Sequence, residues 1–197
     1  MFFKDAGPAG IYVFFGLIAS GKSTLARGWA EHRGCACYNS DIVRKELAGL
    51  APTAKRPAPL EQGIYSPEFS RQTYDGLLAL AERDLAAGRR EVVLDASYQA
   101  RAERDRVRQL AARLGCRILF ILCTCPETEI RRRLAWRAVD PAAVSDGRWE
   151  IYLQQRRLFE PPDECRPDEC FAMDTAAPLP DLVRQLAEKV ARSGGVN

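Results

Sequence analysis

At 197 residues the chain is long enough to bury a substantial core within a single domain. Its 29 lysines and arginines nearly balance 26 aspartates and glutamates, and a net charge of +3 marks neither a dedicated nucleic-acid binder nor a membrane-surface protein. No run reaches the roughly 18–20 apolar residues needed to cross a bilayer, so a cytoplasmic protein is expected.

The first ordered element is expected over residues 11–15, an apolar run with β-branched and aromatic side chains, as in a buried parallel strand. Gly16, Gly21, Lys22 and Ser23 follow it as G-x-x-x-x-G-K-[ST], the phosphate-binding loop. Such a loop wraps backbone N–H groups around phosphate oxygens and aims a helix N-terminus at the same anion. The glycines allow close approach, Lys22 supplies a point charge for the β- and γ-phosphates, and the Ser23 hydroxyl suits Mg²⁺. Residues 23–33 place Leu25, Ala26, Trp29 and Ala30 on one helical stripe. The expected ligand is a nucleotide, held by Gly16, Ala19, Ser20, Gly21, Lys22, Ser23 and Thr24.

Further short apolar runs lie at 35–38, 91–95, 117–123 and 170–173, alternating with longer helical patterns. That alternation predicts βαβ units and a parallel sheet covered by helices on both faces, with ligands at the carboxyl ends of the strands. Residues 51–66 carry Pro52, Pro57 and Pro59 without periodicity and read as a loop. A helix capped by Ser66, with Pro67 in its first turn, runs towards Gly88; others cover 101–114, the stretch after Pro126, and 148–159. No linker divides the chain, which reads as one domain over 1–197 with a small lid at about 138–147.

The strand ends carry the candidate chemistry. Asp41 and Arg44 follow the second strand, three residues apart on an opening helical turn. Asp41 either serves as a base for an attacking hydroxyl, or Asp41 or Ser40 caps the helix. Asp95 closes an apolar strand in the manner of a Walker B aspartate that holds Mg²⁺, or it is a turn residue. Tyr98, Arg101 and Arg104 either line an acceptor pocket or belong to a solvated helix. Arg133 and Arg137, one helical turn apart before a Pro/Gly break, are either lid arginines over a transferring phosphoryl group or an exposed basic face.

Five of the seven cysteines sit in or beside apolar runs, where free thiols pack as small hydrophobes. Cys165 and Cys170 fall in the near-duplicated "PPDECRPDEC", but with one histidine in the chain a zinc site is not expected, nor is a disulfide framework.

On "GLIASGKSTLA", "NSDIVRKELAGL", "IYSPE", "VVLDASY", "RRRLAWR" and "LQQRRLFEPP", residues 10 to 175 resemble the small P-loop kinases. That family includes gluconate-kinase-like enzymes, the zeta-toxin group and polynucleotide 5′-kinase domains. The nearest group is also found as the ATP-binding half of bacterial proteins with an aminoglycoside-phosphotransferase-like domain. The resemblance implies a three-layer α/β sandwich with sheet order 2-3-1-4-5, and ATP and Mg²⁺ as cofactors. It also implies Asp41 as the acceptor-side base, Arg44 as an acceptor contact, Arg133 and Arg137 as lid arginines, and Asp174–Thr175 near the adenine. The expected activity is transfer of a γ-phosphoryl group to a hydroxyl of a small molecule. A 5′-hydroxyl polynucleotide acceptor is the weaker alternative, because "RAERDRVRQL" mixes its charges; a regulatory nucleotide-binding module or slow ATPase is the other.

Overall fold

The computed structural model describes residues 10–52, 63–139 and 148–193. Five strands, β1 (Gly10–Phe15), β2 (Ala36–Asn39), β3 (Glu91–Asp95), β4 (Arg117–Thr124) and β5 (Cys170–Asp174), form one sheet in the order β2-β3-β1-β4-β5. All pairings are parallel. The order implied by the family resemblance is the observed one, and each strand lies within a residue of its expected bounds.

Every residue of β1 is buried, because the strand is flanked on both edges and covered on both faces. Its alternation divides the core. Ile11, Val13 and Phe15 point into a cluster with Leu77 and Ala81 of α3 (Pro67–Ala86) and Val107, Leu110 and Ala111 of α4 (Arg101–Leu114). Tyr12 and Phe14 point the other way, against Leu25, Ala26 and Trp29 of α1 (Lys22–Arg33) and Leu182 and Leu186 of α7 (Leu179–Ser193). The expected stripe on α1 is thus its buried face. α7 was not among the expected elements, although Leu179, Leu182, Val183, Leu186 and Val190 carry the helical spacing that buries it.

Local signals close the elements. Ser66 Oγ accepts from Phe69 N at 3.2 Å to cap α3, and Gly34 and Gly115 end α1 and α4 in the left-handed conformation. A short helix, α2 (Ser40–Leu47), follows β2 directly, and its cap is Asn39 rather than Ser40 or Asp41. Asn39 Oδ1 accepts from the Asp41 and Ile42 amides at 3.0 and 3.1 Å. Of the expected 51–66 loop, residues 53–62 lie outside the described residues, and Gly63–Tyr65 form a 3₁₀ turn. Helices α5 (Glu127–Val139) and α6 (Trp149–Leu158) flank the expected lid, whose residues 140–147 lie outside the described ones.

One buried cation organises the turn after β3. Arg104 is completely buried and uses all three of its guanidinium nitrogens. Nε and Nη2 donate to Glu164 at 2.6 and 3.1 Å, Nη1 to the Tyr98 and Gln99 carbonyls at 2.9 and 3.2 Å, and Nη2 also to Pro161 O at 3.3 Å. It therefore pins the turn after β3 to the segment after α6. Arg104→Ala removes the close hydrogen bonds to the buried Glu164 carboxylate and those to three carbonyls, and should lower stability by about 3–5 kcal/mol. Arg101→Ala, on the same helix but with a side chain 63% exposed, should change it by less than about 0.5 kcal/mol. Denaturant melts of the two variants measure both.

Candidate functional site

At the carboxyl ends of β1, β2 and β3 lies a cavity of about 400 Å³. Its floor is the loop joining β1 to α1. That loop is left-handed at Gly16 (φ 131°), Ala19 (φ 59°) and Gly21 (φ 85°). A side chain at Gly16 would put Cβ 2.5 Å from the Cys123 carbonyl, and at Gly21 it would meet Thr175 Oγ1 at 2.5 Å, so glycine is required at both. Gly21 also precedes α1 without any side-chain cap, which leaves the first turn of the helix able to donate to an anion.

The loop is held from behind. Thr175, at the end of β5, donates its hydroxyl to Ser20 O at 2.6 Å. Arg133 of α5 donates Nη1 to Ala19 O at 3.2 Å and to Thr175 Oγ1 at 3.1 Å, Nη2 to Thr175 O at 2.7 Å, and Nε to Glu129 at 2.7 Å. From α6, Gln155 Oε1 accepts from the Ile18 amide at 2.8 Å. Ile18 and Ala19 pack against Ile130 and Leu134 of α5 and Tyr152 of α6.

Four charged groups meet above the floor. Lys22 Nζ donates to Leu17 O at 3.0 Å, and burial pushes its pKa down against the opposing pull of Asp95 and Asp41. Asp41 faces the cavity with no hydrogen bond to its carboxylate among the described residues, because Asn39 has taken over the capping. Burial raises its pKa, outweighing Arg44 and Lys22. Arg137 also faces the cavity without a hydrogen-bond partner among the described residues, and burial lowers its pKa. Asp95, almost wholly buried, accepts from Asn39 Nδ2 at 2.5 Å through Oδ2, while its Oδ1 has no partner. Asn39 Nδ2 also reaches Ser23 Oγ at 3.4 Å, so a hydroxyl and a carboxylate share one neighbour. An orphaned carboxylate oxygen beside a hydroxyl is a donor set that fits Mg²⁺.

On the far side of Asp41, Arg44 is 8% exposed, donates Nη1 to Ile64 O at 2.5 Å and to Ser70 Oγ at 3.2 Å, and lies 5.2 Å from the Tyr65 ring centre. Its Nε is buried without a partner. Tyr74 and Ser97, hydrogen-bonded to each other at 2.9 Å, continue the wall with Gln99. A second groove of about 310 Å³ opens beyond Gly21, lined by Thr24, Arg133, Trp136, Arg137 and Thr175. Asp174 is exposed and accepts from Ala176 N at 3.0 Å.

The structure therefore brings together the loop residues, Asp41, Arg44, Asp95 and Arg137, and departs from expectation elsewhere. Tyr98 does not line the cavity: it is 1% exposed, packs in the core, and has φ 40°. Its amide donates to Tyr74 Oη, and its carbonyl is gripped by Arg104. Arg101 points to solvent beside Asp105 and lines no part of the cavity. Arg133 and Arg137 are not an equivalent pair, since the donors of Arg133 are spent on the loop. Asn39, Gln155, Tyr74 and Ser97 were missed; all but Tyr74 lay in a quoted stretch, but nothing local marked the partner of Gln155 137 residues away.

A phosphate loop between β1 and α1 in a 2-3-1-4-5 parallel sheet defines a P-loop domain with the fold of the small P-loop kinases. The family model AAA_33, described as an AAA domain, matches residues 11–162, and the chain belongs to that family. Uncharacterised proteins of Mycobacterium tuberculosis and Mycobacterium bovis are 32% identical to it over 119 residues. Those matches cover 60% of this chain but only 24% of each relative. Among solved structures, a gluconokinase from Sinorhizobium meliloti is similar with a TM-score of 0.60 and 24% identity, covering 95% of this chain and 94% of that one. A sugar kinase from a Janibacter species gives 0.64 and 20%, covering 96% and 99%. Chaetomium thermophilum Kti12, in complex with ADP-AlF3, gives 0.68 and 16%, covering 95% and 100%. These likenesses establish the fold.

The two arginines of α5 should separate experimentally. Arg133→Ala removes charge-assisted hydrogen bonds to Ala19 and Thr175 and should cost about 1.5–3 kcal/mol of stability. Arg137→Ala breaks no bond and should leave the melting temperature of the ligand-free protein unchanged or raised. Thermal unfolding of both variants without nucleotide checks this.

Proposed function

We propose that the protein is an ATP- and Mg²⁺-dependent phosphotransferase acting on a hydroxyl group of a small molecule. The observation that carries this reading is the unbonded Asp41 carboxylate, which shares one cavity with Lys22 and with a guanidinium, Arg137, that has no hydrogen-bond partner among the described residues. A nucleotide-binding module without transfer chemistry has no use for a carboxylate kept clear of its own helix cap. The gluconokinase and the sugar kinase among the structural neighbours agree with the reading.

In this mechanism the amides of residues 21–24 and the Lys22 ammonium bind the triphosphate, restoring to Lys22 the anionic partner that burial denies it. The base and ribose occupy the groove between Trp136 and Thr175. Ser23 and Asp95 would hold Mg²⁺, which would supply positive charge to offset that of the phosphates. Asp41 takes the proton of the acceptor hydroxyl as it attacks, and its raised pKa makes it a stronger base than an ordinary aspartate. Arg137 stabilises the transferring phosphoryl group. Arg44, on the cavity wall, contacts the acceptor. The polynucleotide alternative is less well supported. Arg101, Arg104, Arg106 and Arg108 of α4 are each paired with carboxylates and offer no stripe of uncompensated cations leading to Asp41.

Asp41→Asn should lower transfer by about 10²–10⁴-fold with ATP affinity nearly unchanged. Because the folded pKa of Asp41 lies above its unfolded value, its contribution to stability is present below the unfolded pKa and lost as pH rises through the folded one. The asparagine variant should therefore melt no lower than wild type at pH 7. The wild-type rate should fall on the acid side at a pH above the ordinary aspartate value of about 3.9. Equal turnover of wild type and variant in an ATP-consumption screen over sugars, aminoglycosides, nucleosides and 5′-hydroxyl oligonucleotides would remove Asp41 from the chemistry.

Gln155→Glu places a negative charge against the Ile18 amide where a phosphate would bind. Affinity for a non-hydrolysable ATP analogue should drop by at least about 10-fold at neutral pH, read by titration calorimetry.

A further inference from the structure

Trp136 and Arg137 are consecutive residues near the end of α5. Arg137 reaches the larger cavity, whereas Trp136 lines only the groove beyond Gly21. Trp136 is 73% exposed, more than any other large hydrophobic side chain among the described residues. The other two tryptophans have aromatic partners: Trp29 meets Tyr12 edge-on at 5.4 Å, and Trp149 stacks on Tyr152 at 4.7 Å. Trp136 has no ring or cation partner among the described residues. A lone exposed hydrophobic side chain carries no meaning by itself. This one, however, borders a groove of about 310 Å³ that opens onto Gly21 and Thr24 at the start of α1.

The polar groups of that groove are already committed. Glu129 accepts from Arg132 through both carboxylate oxygens and from Arg133 through one of them. Thr175 Oγ1 donates to Ser20 O and accepts from Arg133. The Thr175 and Ala176 amides donate to Thr124 O at 2.8 Å and to Asp174 Oδ1 at 3.0 Å. The lining that follows on this side, Ala177, Leu179 and Leu182, is apolar.

We propose that Trp136 is the platform on which the nucleotide base stacks, and that stacking rather than base-edge hydrogen bonding holds it, so that ATP and GTP bind alike. Every base presents a π face, so stacking tolerates any of them, whereas hydrogen bonds to a base edge select one. The groove offers a purine ring an indole and apolar side chains. The side chains of Glu129 and Thr175, which could tell the amino group of adenine from the oxo group of guanine, are turned to other partners. Pyrimidine nucleotides, with a smaller ring to stack, bind more weakly than either purine. The proposal rests on the nucleotide-binding reading of the phosphate loop, and its test separates the two.

Titration calorimetry with Mg²⁺ compares non-hydrolysable analogues of ATP and GTP with inorganic tripolyphosphate, which has no base. Wild type should bind the two nucleotides within about 5-fold of each other, since a bidentate reading of the base edge would separate them by about 5–150-fold. Trp136→Ala should weaken both nucleotides by about 5–150-fold, the usual worth of a stacked base, and leave tripolyphosphate binding unchanged. Trp136→Phe keeps a ring and should recover most of the loss. Because the indole is largely outside the core, both variants should fold, which a thermal melt verifies. A preference of more than about 5-fold for one purine, or a Trp136→Ala variant that binds both nucleotides as wild type does, would overturn the proposal. Equal weakening of tripolyphosphate would overturn it too, because the defect would then lie in the loop. If wild type binds neither tripolyphosphate nor nucleotide, the phosphate-loop reading itself falls, and this proposal with it.

Discussion

The constraint on which the site depends is that the 16–23 loop must hold a backbone that L-residues resist. Gly16 and Gly21 meet this without steric cost, but Ala19 does not. A non-glycine residue in the left-handed region costs about 1–2 kcal/mol. Burying its methyl returns about 0.8 kcal/mol, and the charge-assisted bond from Arg133 to its carbonyl returns more than the remainder. The conformation is thus maintained by α5 rather than by the loop's own sequence. β1 provides the anchor on the other side, since a strand paired on both edges and buried on both faces cannot shift its register without disrupting both halves of the core.

The charges above the loop are arranged against their own solvation. Burial disfavours the charged forms of Lys22, Asp41 and Arg137 alike, and no hydrogen bond or close ion pair among them offsets it. A group of this kind adds nothing to the fold and is retained at a cost, which a polyphosphate and metal bound as proposed would relieve together. Four of the five arginines of α4 make the contrast. Arg101, Arg104, Arg106 and Arg108 all have carboxylates within ion-pair distance, so the electrostatics of that helix are satisfied within the protein.

How far the sequence foretold this depends on the range of the interactions involved. The strands, the phosphate loop and the caps at Ser66 and Gly115 are set by neighbours a few residues apart, and all were legible. So was the placement of Asp41, Asp95 and Arg44 at strand ends, which follows from the parallel sheet. The missed features are long-range. Which of Arg133 and Arg137 is free depends on contacts with Ala19 and Thr175, 114 and 42 residues away from Arg133. Tyr98 reads as a site residue from its position after Asp95, but its φ of 40° turns it into the core. Asn39 was placed beyond the strand, and that one-residue shift hid the cap. α7 was missed although its periodicity was visible.

Asn39 repays a closer look, because it links the two halves of the site. Its carbonyl oxygen caps α2 and so frees Asp41 for the cavity; its amide nitrogen meets Asp95 and Ser23. The register of β2 against β3 sets Asn39 directly beside Asp95, so both contacts follow from the strand pairing. A serine or aspartate at this position would cap equally well but could not also donate to Asp95 through an amide. An aspartate would add a second carboxylate against the first, raising the affinity of both for protons and weakening the very oxygen that is left open. Asparagine is the one strong capping side chain that carries both an acceptor for the helix and an N–H₂ donor for the carboxylate, and it ties the orientation of the proposed base to that of the proposed metal ligand.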